Sequence, residues 1–87
     1  MERDIIVGKI YRHMSGNYYR IICIAKDSET PKGEEPRQMV VYESLGKDRT
    51  FWVRPYELFQ EKVDKKKYPD CVQEYRFELV DDTITFR

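Results

Sequence analysis

A small all-β fold follows from three features of the 87-residue sequence. Apolar and polar residues alternate with period two in several short runs, and no stretch carries a sustained 3.6-residue apolar stripe. Turn residues punctuate the runs at short intervals, as in Ser15-Gly16-Asn17, Gly46-Lys47-Asp48-Arg49 and Tyr68-Pro69-Asp70. One stretch, Phe51-Trp52-Val53-Arg54-Pro55-Tyr56-Glu57-Leu58-Phe59, reads as a strand halted by a proline and followed by one short helical turn.

Taken in order, residues 1–7 form a lead-in whose Ile5-Ile6-Val7 docks on the body. Lys9 to Met14 alternates as a strand, and Ser15-Gly16-Asn17 turns the chain. Tyr18 to Lys26 is the longest strand. Strict alternation places Tyr19, Ile21, Cys23 and Ala25 on one face and Ile22 and Ile24 on the other. Both faces are apolar at the middle, which predicts a strand that bends and serves two sheets. Asp27 to Arg37 is loop, rich in Pro, Gly and Glu. Gln38 to Leu45 is a third strand and Thr50 to Arg54 a fourth, in which Phe51 and Val53 are expected inward, with Trp52 and Arg54 opposite.

Pro55 has no N–H and ends the ladder; Tyr56, Leu58 and Phe59 then form a 3₁₀ turn that plugs one end of the core. Gln60 to Asp64 is expected as a brief edge strand and Lys65-Lys66-Lys67 as a solvated run. In Val72 to Val80, Tyr75, Phe77 and Leu79 are expected inward and Glu74, Arg76 and Glu78 wet. Asp81-Asp82 turns the chain and Thr83 to Phe86 closes it. Five to six strands, with one short 3₁₀ turn before a late strand, predict a single SH3-like barrel domain over residues 1–87.

Composition bounds the function. Sixteen basic and sixteen acidic side chains give a formal charge of zero, without the basic excess of a dedicated nucleic-acid binder. No apolar run reaches the roughly 20 residues of a membrane span. Met1-Glu2-Arg3-Asp4 does not read as the cationic front of a signal peptide, so a cytoplasmic address without membrane contact is the expectation. Cys23 lies in the apolar run Ile21 to Ala25 and is expected as a buried, unreactive thiol, whereas Cys71 follows the turn at Pro69-Asp70 and is expected to be reactive. One His and two scattered Cys give no metal-ligand spacing.

The chain has no nucleophile elbow, P-loop, HExxH pair or dinucleotide-binding turn, so no catalytic residue and no cofactor is assigned. His13 is the only near-neutral base, and Glu29 with Glu57 the only carboxylate pair that suggests itself. A binding surface is the preferred reading. Trp52 and Arg54 share a strand face. Tyr11, Arg12 and His13 lie on a strand expected beside it, and Ser28 and Glu29 sit where the long strand meets its loop. Rings supply rigid apolar area and Arg a fixed fork of donors, a combination suited to a peptide, protein or small ligand. The bland alternatives are a core Trp52 and an Arg54 paired with Glu57. A nucleic-acid-associated module is the second reading. From Ile5 to Lys26 the basic Lys9, Arg12, Arg20 and Lys26 interleave with Tyr11, Tyr18 and Tyr19 and no acid intervenes. A small hydrolase-type enzyme is the third.

These residues resemble a known family in the same order: Gly8-Lys9 with Tyr11-Arg12-His13, Gly16 with Tyr19, Ala25 with Ser28-Glu29-Thr30, Val40-Val41-Tyr42, and Trp52-Val53-Arg54-Pro55 with Glu57 and Phe59. The family is the bacterial one called domain of unknown function 1653, and the resemblance spans about Gly8 to Phe77. It implies a small SH3-like barrel, bacterial and cytoplasmic, with no settled activity. Asp27 stands where the family often has a His before Ser-Glu-Thr, so a role resting on that His does not carry over. Pro31 to Arg37 reads as a longer loop and the tail past Val80 as an addition.

Overall fold

The computed structural model describes residues 4–80. Five strands, β1 (Ile10–His13), β2 (Tyr18–Lys26), β3 (Gln38–Ser44), β4 (Phe51–Pro55) and β5 (Phe77–Leu79), build one antiparallel sheet in the order β4-β3-β2-β1-β5. One helix, α1 (Tyr56–Phe59), joins β4 to β5. Five of the expected strands are present, but the sheet is open: among the described residues no ladder joins its edges β4 and β5. The helical turn is α rather than 3₁₀. The expected turn and closing segment at Asp81 to Phe86 lie outside the described residues.

Local chemistry sets the boundaries. Gly16 adopts φ 101°, a left-handed conformation that L side chains resist, and its N–H donates to the His13 carbonyl to close the β1–β2 turn. Pro55 ends β4 and starts α1, because its ring pre-sets a helical φ and it has no N–H to leave unpaired. The β2–β3 loop is pinned by Asp27. Its carboxylate accepts the Glu29 N–H at 2.9 Å and pairs with Arg37 at 2.7 Å, and its carbonyl accepts the Thr30 hydroxyl at 2.7 Å.

The inner face carries the core: Ile5, Tyr11, Ile21, Val40, Tyr42, Phe59 and Phe77, with Tyr19, Ile24 and Tyr56 packed against it. Ile5 docks from the lead-in, its N–H held by the Tyr56 hydroxyl, while Ile6 and Val7 remain exposed. Phe59 is fully buried and plugs the core; Leu58, expected to help, is exposed.

Several expectations are overturned by two physical causes. The first is a β-bulge at Ile22. Ile21 pairs with Tyr42, but Cys23 pairs with Val41 and Ile24 with Val40. The extra residue reverses the alternation beyond it. Tyr19 and Ile21 face inward before the bulge and Ile24 does so after it, so Cys23 is exposed rather than buried. Cys71, expected to be open, is half-buried.

The second cause is register with β3. Val40 and Tyr42 point into the core and pair with Arg54 and Trp52, so those two share the inner face. Phe51 and Val53, expected as core, lie on the outer face and are 63% and 59% exposed. In the last strand Phe77 is buried and Tyr75 partly so, but Leu79 is half-exposed because β5 is an edge. The edge strand expected at residues 60–64 reduces to one bridge, Lys62 to Tyr75. Lys65, read as solvated, donates from Nζ to the Cys71 and Gln73 carbonyls and braces that loop.

Candidate functional site

The Phe77 ring is the hub of the inner face. Phe59 stacks on it with centroids 4.0 Å apart and planes at 14°. His13, Tyr42 and Tyr19 meet it edge-on at 4.7, 5.6 and 5.8 Å. The Arg54 guanidinium carbon lies over the same ring, 5.3 Å from its centroid. Five elements therefore converge here: β1 brings His13, β2 Tyr19, β3 Tyr42, β4 Arg54 and α1 Phe59. Trp52, two residues before Arg54 on the same face, is 51% exposed and forms the rim. Among the described residues no carboxylate stands within ion-pair distance of Arg54, and the expected alternative partner Glu57 is exposed on α1.

The electrostatics favour a set of hydrogen-bond donors. Burial, then the charges of Arg54 and Arg76, lower the His13 pKa from its ordinary value. The Ser15 N–H donates to His13 Nδ1 at 3.1 Å, so Nδ1 is the bare nitrogen and Nε2 carries the proton. Burial raises the Tyr42 pKa, against the opposing charge and hydrogen bond of Arg54, and the phenol keeps its proton. Arg54, Tyr42 and His13 thus present N–H and O–H groups around one aromatic hub.

The residues expected to form a site divide. His13, Trp52 and Arg54 lie on the inner face, and of these His13 and Arg54 meet at Phe77. Tyr11 is 2% exposed, and its hydroxyl accepts the Ile6 N–H at 3.0 Å, a core contact. Arg12 points to the outer face, and β1 neighbours β2 and β5 rather than the strand of Trp52. Ser28 and Glu29 are exposed beyond the far end of β2, roughly 20 Å along the strand from Tyr19. Among the functional readings of the sequence Tyr19 enters only the nucleic-acid alternative, and Tyr42 and Phe77 read as packing. Each has strand spacing that marks it only as packing, and their convergence depends on pairings remote in sequence.

A concavity of about 520 Å³ lies beside the hub, between His13, Met14 and Ser15 on one wall and residues 67–71 on the other. Ser15 Oγ is 2.8 Å from His13 Nδ1, but the Ser15 N–H fills the same nitrogen, so the contact caps the turn. Among the described residues no group of His, Cys, Asp and Glu comes together that could hold a metal ion. Nor is any helix there long and apolar enough to cross a membrane.

Comparison with the curated proteins and with the solved structures finds no match. A family model described as "Protein of unknown function (DUF1653)" matches residues 9–79, which takes in every strand and the whole aromatic hub. The chain belongs to the DUF1653 family.

Proposed function

We propose that the protein is a non-enzymatic binding module that takes a peptide segment or small ligand at the groove between Trp52 and Arg54. The observation that carries this reading is the half-buried Arg54 guanidinium, seated on Phe77 among donors and without a carboxylate partner among the described residues. A desolvated fork of donors gains most from an acceptor brought by a ligand. Trp52 at the rim offers a rigid apolar surface to the neighbouring group.

The finer fold reading, an SH3-like barrel, is supported by the strand order and by the helical turn between β4 and β5. Arg54 over Phe77 also brings the two edge strands together through side chains. A bacterial, cytoplasmic setting rests on the family resemblance. A nucleic-acid-associated role draws less support: Arg12 and Arg20 lie on the outer face, and the rings of Tyr19, Tyr42 and Trp52 on the inner.

The test uses Trp52, the only Trp, as a fluorescent reporter. The probes are short apolar peptides with a free C-terminal carboxylate, their C-terminal amides, and a single-stranded oligonucleotide. The carboxylate peptides are expected to shift the emission and the Arg54 Nε–H resonance at lower concentration than the amides. Arg54→Ala removes the response while the chain stays folded. Equal binding to Arg54→Ala, or a response to the oligonucleotide alone, sinks the reading.

A further inference from the structure

We propose that the free edge of β4 pairs with the same edge of a second copy of this chain, antiparallel and centred on Trp52. Among the described residues β4 is an edge strand, and Phe51, Trp52 and Val53 are three consecutive large apolar side chains left 63%, 51% and 59% exposed. Edges are ordinarily protected by lysines, prolines or cover, because their unpaired N–H and C=O groups template another strand. Here protection begins only at Arg54 and Pro55.

The hydrogen-bond phase identifies the groups that remain open. The Ser44 N–H donates to the Thr50 carbonyl at 2.9 Å, in register with the pairs Tyr42–Trp52 and Val40–Arg54. Hydrogen-bonded pairs alternate along an antiparallel ladder. Trp52 and Arg54 therefore turn their backbone groups toward β3, and Phe51 and Val53 turn theirs to the free edge.

Self-pairing about Trp52 sets Phe51 of one copy opposite Val53 of the other. Every outward donor and acceptor of these two residues is then satisfied, and Pro55 falls outside the pairs. Centring on Val53 instead would set Pro55, without an N–H, opposite the Phe51 carbonyl. The outer faces also match. Cys23, Val41 and Val53 form a cross-strand row, so the apolar surface runs up to the edge and continues across the two-fold axis.

Charge selects a second copy as the occupant. Antiparallel pairing lays the β3–β4 turn of one copy beside the start of α1 of the other, which sets exposed Lys47 against exposed Glu57. The chain is formally neutral, so copies do not repel at long range. The pairing uses the strand edge and side chains on both faces of β4, and it does not require a ligand at Arg54.

Sedimentation velocity of the full chain, with reductant to keep Cys23 and Cys71 as thiols, tests this from low micromolar to near-millimolar concentration. A reversible dimer is expected, with Trp52 emission changing over the same range because the two indoles become cross-strand neighbours. Val53→Lys and Phe51→Glu are expected to weaken it at least about tenfold, with circular dichroism and melting unchanged. Lys47→Glu is expected to weaken it, and Lys47→Glu combined with Glu57→Lys to restore it. A chain that stays monomeric throughout, a dimer indifferent to Val53→Lys, or a charge swap that fails to restore association overturns the pairing.

Discussion

The two faces of the β3–β4 ladder are chemically alike and physically opposite. The inner face holds Val40, Tyr42, Trp52 and Arg54; the outer holds Val41, Glu43, Phe51 and Val53. On hydrophobicity alone the outer β4 pair, Phe51 and Val53, is the better core. Yet the inner face is the one that meets Phe59 and Phe77, and their rings decide the matter. Tyr42 packs edge-on against both, at 5.4 and 5.6 Å. Burial belongs to the face that has something to pack against, not to the face with the more apolar letters. A strand's alternation separates two sets of residues and leaves open which set is covered.

The largest effect on this contrast comes from removing the hub. Phe77→Ala is expected to cost about 3–5 kcal/mol, because a fully buried ring leaves a cavity that five aromatic or cationic neighbours cannot refill. Against a domain stability of roughly 5–15 kcal/mol, that loss is a large fraction of the whole. A urea titration that places Phe77→Ala within about 0.5 kcal/mol of the parent would break the account of the core.

The bulge predicts the next effect. Ile24 packs against the core and Cys23 does not. Ile24→Ala is expected to cost about 2 kcal/mol, the low end for a truncated aliphatic because the site is only partly buried. Cys23→Ala should change stability by no more than about 0.5 kcal/mol. Equal losses would mean that alternation runs unbroken through Ile22. Smaller still is the effect of Phe51→Ala and Val53→Ala, each expected within about 0.5 kcal/mol in melts at concentrations where the chain is monomeric. A collapse of either variant would return the core to the outer face.

Much of this fold was legible in local chemistry. The limits of β2, the turn at Gly16, the stop at Pro55 and the plug at Phe59 all come from residues whose preferences act within a few positions. The family resemblance was legible for the same reason, in runs such as Trp52-Val53-Arg54-Pro55. What escaped depends on distance. Nothing in Ile21-Ile22-Cys23 announces a bulge, since three apolar residues satisfy either phase. Leu79 alternates correctly with Phe77 and is exposed because, among the described residues, β5 has a neighbour on one side only. The site was half legible: Trp52 and Arg54 stand out as a pair, and His13 as the lone imidazole. Tyr19, Tyr42 and Phe77 join them through pairings between strands far apart in the chain.

The smallest effect, and the most local to the site, is the titration of His13. Burial and the nearby Arg54 and Arg76 charges disfavour the imidazolium, so the folded-state pKa lies below the ordinary value of about 6.5. The Ser15 N–H on Nδ1 acts in the same direction, because protonating that nitrogen forfeits the bond. In the window between the lowered value and about 6.5, the unfolded chain binds more protons than the folded one. The contribution is therefore fully present above about pH 6.5 and is lost as pH falls through that window. An NMR titration of the His13 ring protons should give a midpoint below the ordinary value. Arg54→Ala should move it upward part of the way, since one of its two opposing charges is gone and burial remains. A midpoint at or above the ordinary value, or one that Arg54→Ala leaves in place, would separate His13 electrostatically from Arg54 and divide the proposed donor cluster.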